Sequence, residues 1–294
     1  MRTTSPPPFD VPSLFPELAG SERTTVRLHP RRGDDPGRDA TKMGGRFGWP
    51  PTDPWPRCDR PHDAFDGSAN FTYRETPPDD RPFVPVLQLR RDDVPELGFP
   101  PHADIFQLLW CPASHPGFYA PAIEVFWRSS AELADVIAPM PVLAPDGLLY
   151  VPGTCVVHPE RVVEYPGLGE INGPLMDRIG AWEDSQGDPL FQWSLSSAPG
   201  TKVGGYPYWL QDPQPQTCQA GHPMDHLLTI SDTEFNGGTW HRWLPIEEAG
   251  LWSGPTRARL DVQEPADLQF GMGSIYVFIC RQCDPLPIAQ IYQR

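Results

Sequence analysis

No run of 18 consecutive apolar residues occurs in the chain, so the sequence offers no membrane-spanning helix. Positive charge is scarce as well: 23 Lys and Arg stand against 38 Asp and Glu, a formal net charge of −15. Nucleic-acid affinity comes largely from cations that neutralise phosphates, so this balance argues against DNA, RNA or an anionic membrane as partner. It confers solubility and leaves room for a basic protein partner. The opening MRTTSPPPFDVPSLF carries one Arg, and prolines where a signal peptide has its apolar stretch, which points to a cytoplasmic protein. In that reducing compartment the six cysteines read as metal ligands or thiols rather than disulfides. Three catalytic signatures are missing too: there is no G-x-S-x-G elbow, no H-E-x-x-H and no G-x-x-x-x-G-K-[ST] phosphate loop.

What the chain has in plenty is proline and glycine, 40 and 26 of 294 residues, together with ten Trp and fourteen Phe. The aromatics supply a core, and the prolines interrupt helix interiors and central strands. Short strands, long loops and few helices follow. The expected class is therefore mostly β (α+β), with antiparallel pairing, because successive strands on short turns cannot make the long crossovers that parallel strands need.

One stretch occurs twice. TKMGGRFGWPPTDPWPRCDRPH (41–62) and TKVGGYPYWLQDPQPQTCQAGH (201–222) share Thr, Lys, Gly, Gly, Trp, Cys and His at one offset. The pairs are Thr41/Thr201, Lys42/Lys202, Gly44/Gly204, Gly45/Gly205, Trp49/Trp209, Cys58/Cys218 and His62/His222. Downstream of each copy lies an apolar run closing on a cysteine, IFQLLWCPASH and SIYVFICRQC. A duplicated β unit is the expectation. It divides the chain into a lead-in (1–40), a first unit (41–130), a middle segment without echo (131–200) and a second unit (201–294), the units packing into one body.

Individual elements follow from pattern. A short helix is expected in VPSLFPELAGSE and a strand in TTVRLHP (24–30). Further strands are expected at 81–90, 104–111, 122–128, around 147–151 and 155–165, then at 226–232, 238–246, 268–280 and in IAQIYQ near the end. SAELADVI (130–137) reads as a helical turn and 173–184 as a helix.

At TK-GG, LQL, LLWCP, GGYP, HLLTIS and GSIYVFIC the pattern resembles the YwqG-like family, bacterial proteins grouped as a domain of unknown function. The likeness spans about 41–294 and is best at 201–283. It rests on Lys202, Gly204, Gly205 and Pro207, on Gln211–Asp212, and on the closing strand with Gly273, Tyr276 and Phe278. The resemblance implies one integrated, mostly β cytoplasmic domain with no settled activity, and hints at immunity-type binding. It implies nothing about metal.

Metal chemistry comes from the residues themselves. Cys58-x3-His62, Cys111-x3-His115, Cys218-x3-His222 and Cys280-x2-Cys283 are four short clips, two per unit. The repeat groups them as Cys218, His222, Cys280 and Cys283, and as Cys58, His62, Cys111 and His115. Zinc accepts such mixtures in a tetrahedron. The first of these sets has three thiolates and a knuckle spacing; the other relies on two imidazoles and a wider loop, and is the weaker. Thiols beside surface histidines are the plain alternative for both. Cys155 reads as a buried small side chain on a strand.

Three further patterns each have a structural explanation beside a functional one. The Gly-Gly pairs suit either a backbone anion nest or a turn at positive φ, and the turn is favoured. Asp225, His226, Asp232, Glu234, His241 and Arg242 suit either acid/base chemistry or a solvated hairpin, and the hairpin is favoured. Trp209, Trp240, Trp243 and Tyr208 suit a groove rim or core cover. The favoured function is a non-catalytic binding or scaffold protein with a structural zinc site; the alternative is a metal-dependent hydrolase with an open zinc position.

Overall fold

The computed structural model describes residues 2–65, 73–117, 119–135, 150–171 and 173–294. Sixteen strands form among them. The first eight are β1 (Arg23–Arg27), β2 (Arg31–Arg32), β3 (Lys42–Met43), β4 (Arg57–Cys58), β5 (His62–Phe65), β6 (Tyr73–Thr76), β7 (Arg81–Pro82) and β8 (Val84–Arg90). There follow β9 (Ile105–Cys111), β10 (Ala122–Arg128), β11 (Cys155–Val156), β12 (Glu160–Glu164), β13 (Lys202–Gly204), β14 (Asp225–Ser231), β15 (Ser274–Ile279) and β16 (Ile288–Gln293). Helices are few: α1 (Val11–Leu14), α2 (Gly173–Gln186), α3 (Trp240–Trp243), α4 (Ala249–Trp252) and α5 (Thr256–Gln263). The mostly β expectation holds, and every pairing among these strands is antiparallel.

The chain forms two compact units, one from 1–29, 158–265 and 272–294, the other from 30–157 and 266–271. The contiguous segments drawn from the repeat do not coincide with these units. Residues read as a lead-in supply β1 to one sheet and β2 to the other, and the middle segment supplies β12 and β11 in the same way. A short strand can pair only where a neighbour offers a ladder, and proximity in sequence does not decide which neighbour that is.

In the first unit a six-stranded sheet runs β12-β1-β13-β14-β15-β16. All six residues of β15 are buried, so this strand is covered on both faces and its sequence is continuously apolar rather than alternating. Only 274–279 of the run expected at 268–280 is strand, because Gly271 and Met272 both take left-handed backbone (φ 72° and 64°). Val11, Phe15 and Leu18 pack with Ile179 of α2, Phe191 and Leu195 in one apolar cluster. Residues 238–246, expected as a strand, instead contain α3. The Asn236 side chain accepts from the amides of Gly238 (2.9 Å) and Thr239 (3.0 Å), which turns the chain and starts the helix before the apolar run can extend.

In the second unit the sheet runs β10-β9-β8-β3-β11-β2. Every residue of β9 is buried, as are all of β8 but Arg90. The polar exceptions meet each other: Gln107 Nε2 donates to Gln88 Oε1 (2.8 Å) across the ladder and to the Gly48 carbonyl (2.7 Å). Two ribbons, β4 with β7 and β5 with β6, stand beside this sheet. The described part of SAELADVI forms a 3-10 turn at Ser130–Glu132, and the strand expected around 147–151 lies almost wholly outside the described residues.

The TK-GG stretch has the same place in both sheets, third from one end, as β3 and β13. Both lysines are fully buried, and both glycine pairs take positive φ: 63° and 72° for Gly44 and Gly45, 66° and 68° for Gly204 and Gly205. Lys202 Nζ donates to Glu164 (2.9 and 3.2 Å) and to the Tyr206 carbonyl, while the Tyr206 amide donates to Glu164 Oε1. Lys42 Nζ donates to Asp35 (2.6 Å) and the Arg46 carbonyl, while the Arg46 amide donates to Asp35 Oδ2 (2.8 Å). The glycine turn and the anion nest are thus one device: the anion against it is the chain's own carboxylate. A Cβ on Gly205 would run into Glu164, and one on Gly45 would sit 2.6 Å from Asp35.

Candidate metal centres

Two groups of Cys and His converge, and they are the two groups taken from the repeat. The ligand atoms of Cys58, His62, Cys111 and His115 all lie within 4.8 Å of one another, as do those of Cys218, His222, Cys280 and Cys283. Each cluster can hold a metal ion. Bond lengths of about 2.3 Å to sulfur and about 2.0–2.1 Å to nitrogen put the corners of a zinc tetrahedron roughly 3.4–3.8 Å apart.

The second cluster is built on a knuckle and a strand end. Cys218 N–H donates to the His222 carbonyl (2.9 Å) and Gly221 N–H to the Cys218 carbonyl (2.8 Å), with Gly221 at φ 81° closing the turn. This brings Cys218 Sγ to 3.7 Å from His222 Nδ1. β15 delivers Cys280 directly after its last residue, and the chain turns back so that Cys280 N–H donates to the Pro287 carbonyl (2.9 Å). Cys283 Sγ then lies 3.3 Å from His222 Nδ1 and 3.9 Å from Cys218 Sγ, and Cys280 Sγ lies 3.8 Å from His222 Nδ1. Burial resists ionisation of Cys218, but the amides of His222 and Ala220 outweigh it and bring the thiol down to about 7. Burial, Cys280 and Cys218 push Cys283 up to about 11. Cys280 is fully buried, whereas His222 and Cys283 are half-buried.

The first cluster is more enclosed than its spacing suggests. Cys58 closes β4, His62 opens β5, Cys111 closes β9, and His115 sits in the following loop. All four are buried, Cys111 completely and the others at 3 % exposure or less. Cys58 Sγ is 3.3 Å from His115 Nε2, and Cys111 Sγ is 3.3 Å from His62 Nε2. The far nitrogens are held too: His115 Nδ1 lies 3.2 Å from the Ala120 carbonyl and His62 Nδ1 lies 3.6 Å from Asp79 Oδ1. The Ala120 contact puts the His115 proton on Nδ1 and leaves its Nε2 free for a metal, while Asp79 stands near enough to His62 to do the same over a shorter gap. The Cys111 thiol, with His115 and against burial, holds Cys58 well below the usual thiol range, and Cys111 is raised in turn by Cys58 and by burial. Cys58, Cys111, Phe47, Trp49, Phe83 and Leu109 share one apolar cluster, so the cluster of ligands is an extension of the core.

Spacing named all eight residues of the two clusters, and the repeat grouped them four and four as the fold does. Asp79 and the Ala120 carbonyl left no signal in sequence, because only the β5–β6 ribbon and the loop after Cys111 place them. Cys155 is buried on β11 and belongs to neither cluster. Comparison with protein-family models finds no match, and no curated protein matches the chain.

The polar run around α3 does not assemble as a catalytic group. Arg27 reaches in from β1 and donates to the carbonyls of Pro199 (3.2 Å), Trp243 (2.8 Å) and Glu234 (2.9 Å). Glu234 Oε1 accepts from Thr201 N–H (3.1 Å), and Arg242 donates to Thr4 Oγ1 (2.8 Å). These groups are buried cross-links, while Asp225 and His241 face solvent. His226 accepts no proton readily: burial, then Lys202, lowers it to about 3, and its ring bridges the Gly204 carbonyl (3.0 Å) and Thr229 Oγ1 (2.9 Å). Two small clefts of the first unit, about 100 and 80 Å³, share Tyr208. Hydroxyls, amides, aromatic rings and apolar side chains line them; no Lys, Arg, His, Asp, Glu or Cys does.

Proposed function

We propose that this chain is a non-catalytic binding or scaffold protein, each unit of which is held by one structural zinc ion. The observation that carries the reading is closure: each cluster brings four protein ligand atoms within 4.8 Å of one another, a gap that a zinc ion would draw in to its tetrahedral edges. A metal with four protein ligands has no open position for water or substrate, which weighs against the hydrolase alternative. Thiolate and imidazole donors suit zinc better than magnesium or calcium, which take oxygen. Six cysteines without a disulfide suit a cytoplasmic setting. A basic protein is the partner that a net charge of −15 favours, and an immunity-type role in a YwqG-like domain is the wider reading.

Metal analysis of the purified chain tests this, with an expected two zinc per chain. Cys280→Ser should lose one and Cys58→Ser the other, while Cys155→Ser keeps both. Retention of both ions in the first two variants would refute the assignment. A pull-down from native lysate, repeated at high salt, tests the partner.

A further inference from the structure

The two clusters differ in access and in sulfur content, and the difference has chemical consequences. In the first, no ligand is more than 3 % exposed, each sulfur lies 3.3 Å from an imidazole nitrogen, and only two of four donors are sulfur. In the second, Cys283 and His222 are half-buried and three of four donors are sulfur. Cys283 Sγ lies 3.9 Å from Cys218 Sγ, one tetrahedral edge away. Cys218 itself sits on the Cys218–His222 knuckle, a hairpin held by the Thr217–Pro223 bridge, rather than inside a sheet. Cys283 sits in the turn between β15 and β16. Closing the sulfur gap therefore asks two turns to move and leaves the ladders intact.

We infer that the second centre is a peroxide-sensitive zinc switch: oxidation joins Cys218 to Cys283 and expels the ion, while the first centre keeps its own. The inference rests on the zinc reading above. The half-buried Cys283, a thiolate when it holds the zinc ion, attacks one oxygen of hydrogen peroxide, breaking the O–O bond, and becomes a sulfenic acid as hydroxide leaves. The Cys218 thiolate then attacks that sulfur and displaces the second hydroxide, forming the S–S bond. Two thiolates lose two electrons in all, and the peroxide, taking up two protons, becomes two waters. Zinc is left with Cys280 and His222, half its ligands, and departs as Zn²⁺. The first centre is shielded from the same oxidant by the core around it, since thiol oxidation follows exposure.

The experiment uses the zinc-loaded chain as purified. Metal content is measured first, and only the two-zinc protein is carried forward; fewer than two ions bears on the zinc reading, not on the switch. Hydrogen peroxide is then added while free zinc is followed with a chromogenic chelator and thiols are counted. The expected result is release of one zinc of two, loss of two thiols, and a Cys218–Cys283 disulfide in the peptide map. Dithiothreitol with added zinc should restore two ions. Simultaneous release of both ions, no release, or release without that disulfide would each overturn the inference.

Discussion

Glu164→Gln is the substitution whose effect the structure specifies most closely. Glu164 and Lys202 have side chains with no exposure at all, and the carboxylate takes donors from Lys202 Nζ (2.9 Å), Ala198 N–H (2.7 Å) and Tyr206 N–H. Burial pushes the Glu164 carboxyl up and the Lys202 ammonium down; their attraction and the amide donors pull each back. Gln keeps the shape but leaves the ammonium unpaired in the interior. Breaking a buried pair from one side costs about 3–5 kcal/mol. Asp35→Asn is the internal comparison. Its carboxylate holds Lys42 in the same way but is 31 % exposed, so solvent screening reduces the expected loss to about 1–2 kcal/mol. Urea unfolding in zinc-saturated buffer, followed by tryptophan fluorescence, measures both. For units of this size the Glu164→Gln loss corresponds to roughly 6–20 °C in Tm. Adding Lys202→Met to Glu164→Gln should recover part of the loss, since a vacated apolar pair leaves no charge unpaired. A Glu164→Gln effect no larger than that of Asp35→Asn would refute the reasoning.

Other consequences are independent of that pair. Gly205→Ala should destabilise strongly, because its φ of 68° is left-handed and the new methyl meets Glu164 and Thr25, whereas Gly180→Ala in α2, with open space around it, should stabilise by about 1 kcal/mol in thermal melts. His226 stays neutral in the fold while the unfolded chain takes a proton near pH 6.5. Its contribution is therefore present above about pH 6.5 and is lost as pH falls toward 3, by up to ~1.4 kcal/mol per pH unit; His226→Gln should flatten that part of the stability profile. Asp79→Asn should weaken zinc at the first centre by about 10–100-fold in a chelator competition and leave the second unchanged, which tests whether Asp79 orients His62. Prolonged chelation of the whole chain should lower Tm, since ligands spread over more than 50 residues in each cluster are distant when unfolded.

How far the sequence alone reached depends on the range of the interaction that decides each feature. Pattern located β8, β9, β10, β14 and β16 closely, because their apolar runs end at Pro, Gly or charged residues that stop a ladder locally. Spacing also named all eight residues of the two clusters, although in the first of them the close contacts run between clips, Cys58 to His115 and Cys111 to His62, and only the fold sets them. The error at α3 shows the limit: WHRW is apolar enough for a strand, and the Asn236 turn decides otherwise. Three matters belonged to tertiary structure alone. The first is the choice of sheet for β1, β2, β11 and β12, which depends on distant ladders. The second is the identity of the anion against each glycine pair, since Asp35 lies seven residues before its lysine and Glu164 lies 38 before Lys202. The third is the enclosure of the first ligand cluster. Spacing measures how near two side chains are along the chain, but burial depends on what else the core brings to them, and here Phe47 and Trp49 from one segment and Phe83 from another pack with Cys58 and Cys111.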